Sequence, residues 1–541
     1  MRQTEEHLQI LIYFGVQRIV VALTKTDLVK SAESAEIDLR AQLAESPFAE
    51  APIVKTSAAT GLGLDELRTQ LAREFSTLEP QRDLGKPRLF VDRAFSLRGV
   101  GTVATGTLSG GKFSRGDSVI LQPANLPARI RSLQTHNQQL QEIVPGTRAA
   151  LNLPDLSIAR RSSDRGVGRG DVITLPELGN ATSIVDLVLA RSPRLPSSAP
   201  QLRYGAYAHI HHGSGSVAAR VFFKDGRSLG AGRSVLAELR LEAPIVAFLG
   251  DRIVVRDASA QHTLAGGIIL DADATAKRFR TSAQKRFLEQ RAAIALNLPT
   301  LIETQLARDH FANTSAFLQK SHFSAAEVSA ALRSLAAAGK IFLRDDFAAD
   351  ANWWKNAREI AFAAIDAEHK AYPHQVGLDL ARLRHLFAKE SGPMFDALVA
   401  DLSRQGAARV GDAIKRQEHQ PALPSQMQMA GANLRRLLAN KPFDPPARKE
   451  LAPDAPSRQA LQFLCETGEA IEIAQEVVLA KSAFEKMRDA VVEFIRRRGP
   501  ATVGELRQSI GSSRRVMVPF LERLDREGVT RRVEDKRILP R

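Results

Sequence analysis

The chain has 541 residues, against roughly 100–200 for a typical domain. Its 44% hydrophobic and 25% charged residues are the balance of a folded globular chain, which excludes disordered, collagenous and membrane-spanning classes. Seventy-five Lys plus Arg against 60 Asp plus Glu leave a net charge of +15, so polyanions, nucleic acid first among them, are the expected partners.

Apolar runs such as Ile19–Leu23 fall far short of the roughly 20 residues of a membrane helix, and no charged-then-apolar signal peptide opens the chain. The one cysteine, Cys465, allows neither an internal disulfide nor a cysteine-built zinc site. A reducing, cytoplasmic setting is expected, without membrane partners.

In chain order, residues 1–80 read as strand Arg18–Leu23, a helical pattern over Ser34–Leu43, strand Pro52–Lys55 and a helical pattern over Leu64–Phe75. That alternation predicts part of a parallel α/β sheet. Strand Arg18–Leu23, apolar on both faces, is expected to lack central-sheet neighbours. Residues 86–272 are short runs rich in Val, Ile, Thr and Arg, closely punctuated by glycine, and predict two β-barrels, 86–178 and 180–272, divided near Gly179. The Pro/Ser-rich stretch Pro193–Pro200 reads as a loop inside the second. Gly99–Ala104 and Gly213–Ala218 both fit a loose dinucleotide pattern, yet each runs into β-branched residues and reads as a barrel turn. His209, His211 and His212, with no nearby Cys or carboxylate, read as structural or RNA-facing in preference to metal ligands.

From about 274 the pattern is helical and repeats. Gly339, Gly406, Gly468 and Gly528 each follow an amphipathic helix and precede a strand-like run, at spacings of 67, 62 and 60 residues. Apolar side chains stand four and seven residues before each: Leu335 and Leu332, Leu402 and Val399, Leu464 and Leu461, Leu524 and Leu521. A helix with one buried face, a glycine C-cap and a β-hairpin make a winged-helix unit. Four tandem winged helices are therefore expected, over 274–352, 353–420, 421–485 and 486–541; the alternative is four unrelated helical hairpins.

Thr24-Lys25-Thr26-Asp27 directly follows the first strand, and Ser57-Ala58 the second. Ligands bind at the carboxyl ends of such strands. There a carboxylate at Asp27 accepts from N1–H and the N2 amino group of guanine, a donor pair that adenine lacks. At about 1.5–3 kcal/mol per bond to a charged group, the pair selects guanine by on the order of a hundredfold or more. Lys25 lays its alkyl stem over the ring, and the small Ser57 and Ala58 let backbone amides approach O6. A Lys-x-Asp tripeptide alone is a surface turn; its place between two strands makes Thr24, Lys25, Asp27, Ser57 and Ala58 candidate guanine-binding residues.

The opening Arg2-Gln3-Thr4-Glu5-Glu6-His7-Leu8, the TKTD and SA elements, Val91-Asp92-Arg93-Ala94-Phe95 and the run from Gly99 to Thr107 resemble translational GTPases of the elongation factor Tu group. With the helical repeat added, the chain resembles the bacterial selenocysteine-specific elongation factors from Met1 to Arg541. The resemblance implies a multidomain fold: part of an α/β GTP-binding domain over 1–80, two β-barrels and four winged helices. It implies a monomeric factor that carries selenocysteinyl-tRNA to the ribosome at UGA codons and grips an mRNA selenocysteine insertion hairpin with its C-terminal winged helices. GTP is the implied cofactor. The family's phosphate loop, magnesium-holding switch and Asp-x-x-Gly-His element do not occur before TKTD. Met1 aligns inside the family's GTP-binding domain, as in an N-terminally truncated factor. The Mg²⁺ site is thus missing from this chain, no catalytic residue is assigned, and GTP hydrolysis by this chain is not expected.

The resemblance further places Asp92, Arg93 and Arg148 at the selenocysteinyl pocket. A selenol ionised near neutral pH prefers guanidinium neighbours to the neutral ones that suit serine. The alternative is a barrel-edge ion pair of Asp92 with Arg93 and a surface contact by Arg148. The tail speaks for itself: residues 486–541 carry 15 Lys plus Arg against 8 Asp plus Glu. Ser512, Ser513, Arg514 and Arg515 open its last helix, and the hairpin adds Arg531, Arg532, Lys536 and Arg537, so RNA binding is expected at this helix start and wing. A nucleotide-independent RNA-hairpin adaptor, half of a split factor, and a winged-helix DNA-binding regulator are the rival readings; absent dimerisation heptads count against the last.

Overall fold

The computed structural model describes residues 2–29, 31–159, 166–195, 200–294, 297–387 and 392–540. Met1, Arg541 and residues 196–199 of the expected Pro193–Pro200 loop lie outside them. The chain divides into two compact units, Met1–Trp353 and Trp354–Arg541.

The first unit opens with helix Arg2–Tyr13, whose regularity the sequence reading did not register. Strands Val21–Leu23 and Ile53–Lys55 then pair in parallel as a two-stranded sheet. The first is shorter than expected because its partner offers only three residues to pair with, and Arg18, ahead of it, pairs with Glu74 on helix Leu64–Ser76 at 3.5 Å. Leu8, Leu39, Leu43 and Phe48 make one core against Val21 and Ile53, so helices Arg2–Tyr13 and Glu33–Leu43 cover a single face of the pair. Helix Arg2–Tyr13 also docks on the second β region. Arg194 donates twice to Glu5, both at 2.8 Å, and Tyr13 Oη accepts from the Ser192 amide at 2.8 Å. A Cβ on Gly266 would stand 2.2 Å from the Tyr13 ring, so only glycine lets the helix lie this close.

The two expected barrels differ. The second is a closed ring of six strands, Thr182–Ala190, Ser234–Ile245, Gly215–Phe223, Tyr207–His212, Arg252–Arg256 and Thr263–Asp271, around Leu187, Leu189, Ile210, Val221, Leu239 and Ile253. The first is an eight-stranded antiparallel sheet whose edge strands are Leu126–Arg129 and Gln138–Leu140, beside a two-stranded ribbon. It wraps one core containing Leu89, Val91, Phe113, Leu121 and Leu151. Its edges are short strands that present few unpaired backbone groups, so closure is not required to protect them. Gly99 sits in the turn joining Arg88–Leu97 to Gly101–Ser109, Gly101 opens the second of these strands, and Gly213 sits in the turn joining Tyr207–His212 to Gly215–Phe223. Neither glycine run opens a helix.

After the closed ring come helices Ser282–Ala293, Leu298–Asp309 and Ala325–Ala337, the last opened by a capping box of Ser324 and Glu327. The hairpin Ile341–Arg344 with Phe347–Asp350 follows. In the second unit the same order recurs. Helices Gly392–Arg404, Ala455–Glu466 and Arg514–Arg526 precede the hairpins Ala407–Val410/Ala413–Arg416, Ala470–Ala474/Val477–Ala480 and Arg531–Val533/Lys536–Ile538. Between helix and hairpin stand Gly339, Gly406, Gly468 and Gly528 with φ of 70°, 96°, 75° and 73°, the left-handed turn that ends a helix without a Cβ clash. The eight spaced apolar residues are all buried. Each full burial of a Leu or Val is worth about 1.5–3 kcal/mol, which holds each helix on its hairpin. The last two repeats share a core: Ile473, Val477 and Leu479 of one hairpin pack with Val491, Phe520 and Leu524 of the next helical set.

Candidate nucleotide and RNA interfaces

The parallel register sets Leu23 opposite Lys55, so the loops after the two strands leave side by side. Thr26 locks them: its amide and Oγ1 both donate to the Thr56 carbonyl, at 3.3 and 3.2 Å. Lys25 takes a left-handed conformation, φ 59°, and starts a short 3-10 turn, Thr26–Leu28. Thr24, Lys25 and Asp27 are exposed, and no hydrogen-bond partner takes the Asp27 carboxylate among the described residues. Ser57 is fully buried, its amide given to Leu62 at 3.0 Å and its Oγ accepting from Thr60 at 3.2 Å. Ala58 is exposed, and no backbone carbonyl takes its amide among the described residues. Gly63 permits the return of the chain, since a Cβ there would meet the Lys55 carbonyl oxygen at 1.9 Å. The guanine candidates thus form one exposed edge, with Ser57 as a buried brace behind it.

Asp92 occupies a β-bulge. Val91 faces Gly106 and Arg93 faces Thr105, leaving Asp92 as the extra residue, turned out of the alternation. Arg148 grips its carboxylate with two nitrogens, one at 3.0 Å, and Thr105 Oγ1 donates at 2.8 Å. Partial burial opposes ionisation, but the bonds from Arg148 and Thr105, with the charge of nearby Arg93, outweigh it and hold Asp92 below the usual carboxylate range. Of the three expected pocket residues the ion pair therefore joins Asp92 to Arg148, with Arg93 exposed beside it. This is neither the Asp92–Arg93 pair nor the isolated Arg148 of the alternative.

At the C-terminal end the eight candidates separate. Arg514, Arg531, Arg532 and Lys536 are exposed at the helix start and hairpin. Ser512 instead gives its hydroxyl to the Phe443 carbonyl at 2.6 Å, Ser513 gives its own to Asp444, and Arg515 donates to the Pro445 carbonyl. These three clasp the preceding repeat, although the sequence places them 69 or 70 residues away. Arg537 is buried, with its guanidinium on Asp525 at 3.2 Å, and Asp525 also accepts from Thr530 at 2.6 Å. Alternation along Lys536-Arg537-Ile538 was the signal for this inward turn: Lys536 faces out, so Arg537 faces in.

Sequence reasoning missed the buried carboxylate of Asp251. It accepts two bonds from Arg88, at 2.6 and 2.9 Å, one from the Phe248 amide at 2.8 Å, and contacts His212 Nε2 at 2.8 Å and His322 Nε2 at 2.9 Å. Burial alone would raise its pKa; the charge and bonds of Arg88 and the two imidazoles hold it far below the usual range. His212 is thus spoken for structurally. Among the described residues no group of three or more His, Cys, Asp or Glu is arranged to hold a metal, and no helix is long and apolar enough to cross a membrane.

The family description "Elongation factor SelB, winged helix" matches residues 493–539, and "Selenocysteine-specific elongation factor, beta-barrel domain" matches residues 192–276. A selenocysteine-specific elongation factor of Desulfomicrobium baculatum is 28% identical over 99% of this chain and 85% of its own length. That of Escherichia coli (strain K12) is 34% identical over 50% of this chain and 41% of its own. The crystal structure of bacterial selenocysteine-specific elongation factor EF-Sec shares the fold, with a TM-score of 0.68 at 22% identity over 100% of this chain and 84% of that one. A β-barrel and a winged-helix domain in one multidomain chain are what this protein shares with these translation elongation factors. Over almost its whole length the chain is similar to selenocysteine-specific elongation factors.

Proposed function

We propose that this chain acts in the delivery of selenocysteinyl-tRNA to the ribosome at UGA codons, holding an mRNA selenocysteine insertion hairpin with its tail. The observation that carries this reading is the exposed set Arg514, Arg531, Arg532 and Lys536, gathered at the helix start and hairpin of the segment that matches the SelB winged helix. Gripping message and charged tRNA in one monomeric chain raises the effective concentration of the tRNA beside the ribosome. The seven segments 1–80, 86–178, 180–272, 274–352, 353–420, 421–485 and 486–541 are read as a partial GTP-binding domain, two barrels and four winged helices.

For the aminoacyl end, Arg93 and the Asp92–Arg148 pair supply guanidinium groups to a selenolate. For a guanine nucleotide, Asp27, Lys25, Thr24 and the Ser57–Ala58 turn supply the base-recognising edge, and this fits the exposed Asp27 carboxylate and the Ala58 amide. Were a guanine nucleotide bound there, these residues would hold and select its base.

The test is RNA-hairpin binding by the full chain over a salt series. Arg531→Ala with Arg532→Ala is expected to weaken binding and lower the salt slope by about 0.7–0.9 log units per lost phosphate contact; an unchanged slope removes both from the interface. Selenocysteinyl-tRNA is expected to outcompete seryl-tRNA, a preference that Arg148→Ala erases, and equal affinity in the unaltered chain overturns the pocket. Guanine-nucleotide binding is expected to be weak and independent of magnesium.

A further inference from the structure

On the outer wall of the closed barrel, two aromatic rings and several cations meet where neither the aminoacyl pocket nor the tail has been placed. Tyr204 follows the short strand Leu202–Arg203, and Phe222 lies near the end of strand Gly215–Phe223. Their rings meet edge to face, with centroids 5.4 Å apart and planes at 77°. The Arg240 guanidinium lies 4.4 Å over the Phe222 ring while its Nε donates to Glu238 at 2.7 Å. With Lys224, Phe279 and Arg280 these residues line a recess of about 270 Å³. Phe279 is buried, and Tyr204 is 43% exposed.

The charge of this wall is one-sided. Asp225 is ion-paired with Lys285 at 3.0 Å, and Glu238, fully buried, is taken by Arg240. Arg203, Arg227 and Arg280 are exposed and have no ion-pair partner among the described residues. A recess below the roughly 300–1,000 Å³ of whole-ligand pockets admits one planar group and not a complete small molecule. Aromatic faces edged by guanidinium groups are what an unpaired base with its phosphates requires, whereas duplex RNA offers no splayed base.

We propose that this recess binds one unpaired nucleotide of a single-stranded RNA segment, the base packing on Tyr204 beside the Arg240-covered Phe222 ring and the flanking phosphate meeting Arg280. The proposal deepens the reading that the barrel region holds RNA, and it stands or falls separately from the tail. Rim cations outnumber free carboxylates here, which favours a polyanion over a protein partner.

The experiment uses the full chain and a single-stranded uridine 12-mer carrying 4-thiouridine, with a duplex of equal length as control. Photo-crosslinks are expected on the segment around Tyr204 and Phe222. Tyr204→Ala is expected to weaken single-strand binding about tenfold at an unchanged salt slope, Tyr204→Phe to restore it, and duplex binding to stay as it was. Arg280→Ala is expected to lower the single-strand slope by about 0.7 log units for one lost contact. Because Tyr204 is largely at the surface, an unchanged melting temperature separates lost binding from lost folding. Crosslinks confined to the tail, or wild-type single-strand affinity in Tyr204→Ala, overturn the recess; intact tRNA binding in that same variant would leave the barrel reading standing.

Discussion

Replacing Asp186 with Asn is expected to stabilise the closed barrel increasingly as pH rises. Asp186 lies in strand Thr182–Ala190, directly opposite Glu238 on one neighbouring strand and Asp271 on the other. All three carboxyl groups are buried. Gln284 Nε2 donates to Asp186 at 2.8 Å and to Asp271 at 3.0 Å, Arg308 pairs with Asp271, and Arg240 with Glu238. One oxygen of Asp186 and one of Glu238 nevertheless have no partner among the described residues. Burial first, and the Asp271 and Glu238 charges after it, push Asp186 from 3.8 up to about 8 against the opposing bond from Gln284 and charge of Arg308. With the folded value above the unfolded one, the stability this group contributes is fully present below pH 3.8 and is lost as pH rises through about 8. At about 1.4 kcal/mol per pH unit the loss is capped at roughly 6 kcal/mol, and local opening around Asp186 makes the realised value smaller, about 1–3 kcal/mol between pH 5.5 and 8.5. Asn keeps the shape, does not titrate and places an amide donor on the residue directly opposite Glu238. Unfolding of the full chain, with hydrogen exchange on strand Thr182–Ala190 and helix Ser282–Ala293, reads the difference at the two pH values. If the Asn variant tracks wild type at both, or loses ground as pH rises, Asp186 is ionised in the fold and the reasoning fails.

Asp251→Ala leaves Arg88 buried without its carboxylate and is expected to cost about 3–5 kcal/mol of stability, measured by denaturant unfolding; a loss below about 1 kcal/mol would mean that water replaces the carboxylate. Gly468→Ala meets no atom within 4 Å of the added Cβ, so its cost is backbone strain alone at φ 75° and is expected near 1 kcal/mol. His369, stacked on His419 with ring centroids 3.6 Å apart, is held below its ordinary 6.5 by burial and then by the His419 charge. Its neutral form is the folded one, so stability of the second repeat is kept above pH 6.5 and falls as pH drops below it; a proton-NMR titration placing the His369 midpoint above 6.5 would reverse that sign.

What the sequence determined by itself is what short-range rules control. Glycine after an amphipathic helix fixes a left-handed cap wherever it occurs, and period-3.6 apolar spacing fixes which helix face is buried, so the repeat around Gly339, Gly406, Gly468 and Gly528 was readable residue by residue. The TKTD and SA loops were readable too, because each directly follows its strand. Tertiary structure alone decided the long-range partnerships. Nothing within a dozen residues of Ser512, Ser513 or Arg515 points to residues 443–445, and no spacing joins Arg88 to Asp251 or Asp186 to Glu238 and Asp271. Packing also chose between charges of equal sequence weight, leaving Arg531 and Arg532 in solvent while burying Arg537 on Asp525. Local backbone preference and periodicity are written in neighbouring residues, whereas the desolvation that makes a buried charge demand a partner depends on which distant segments close around it.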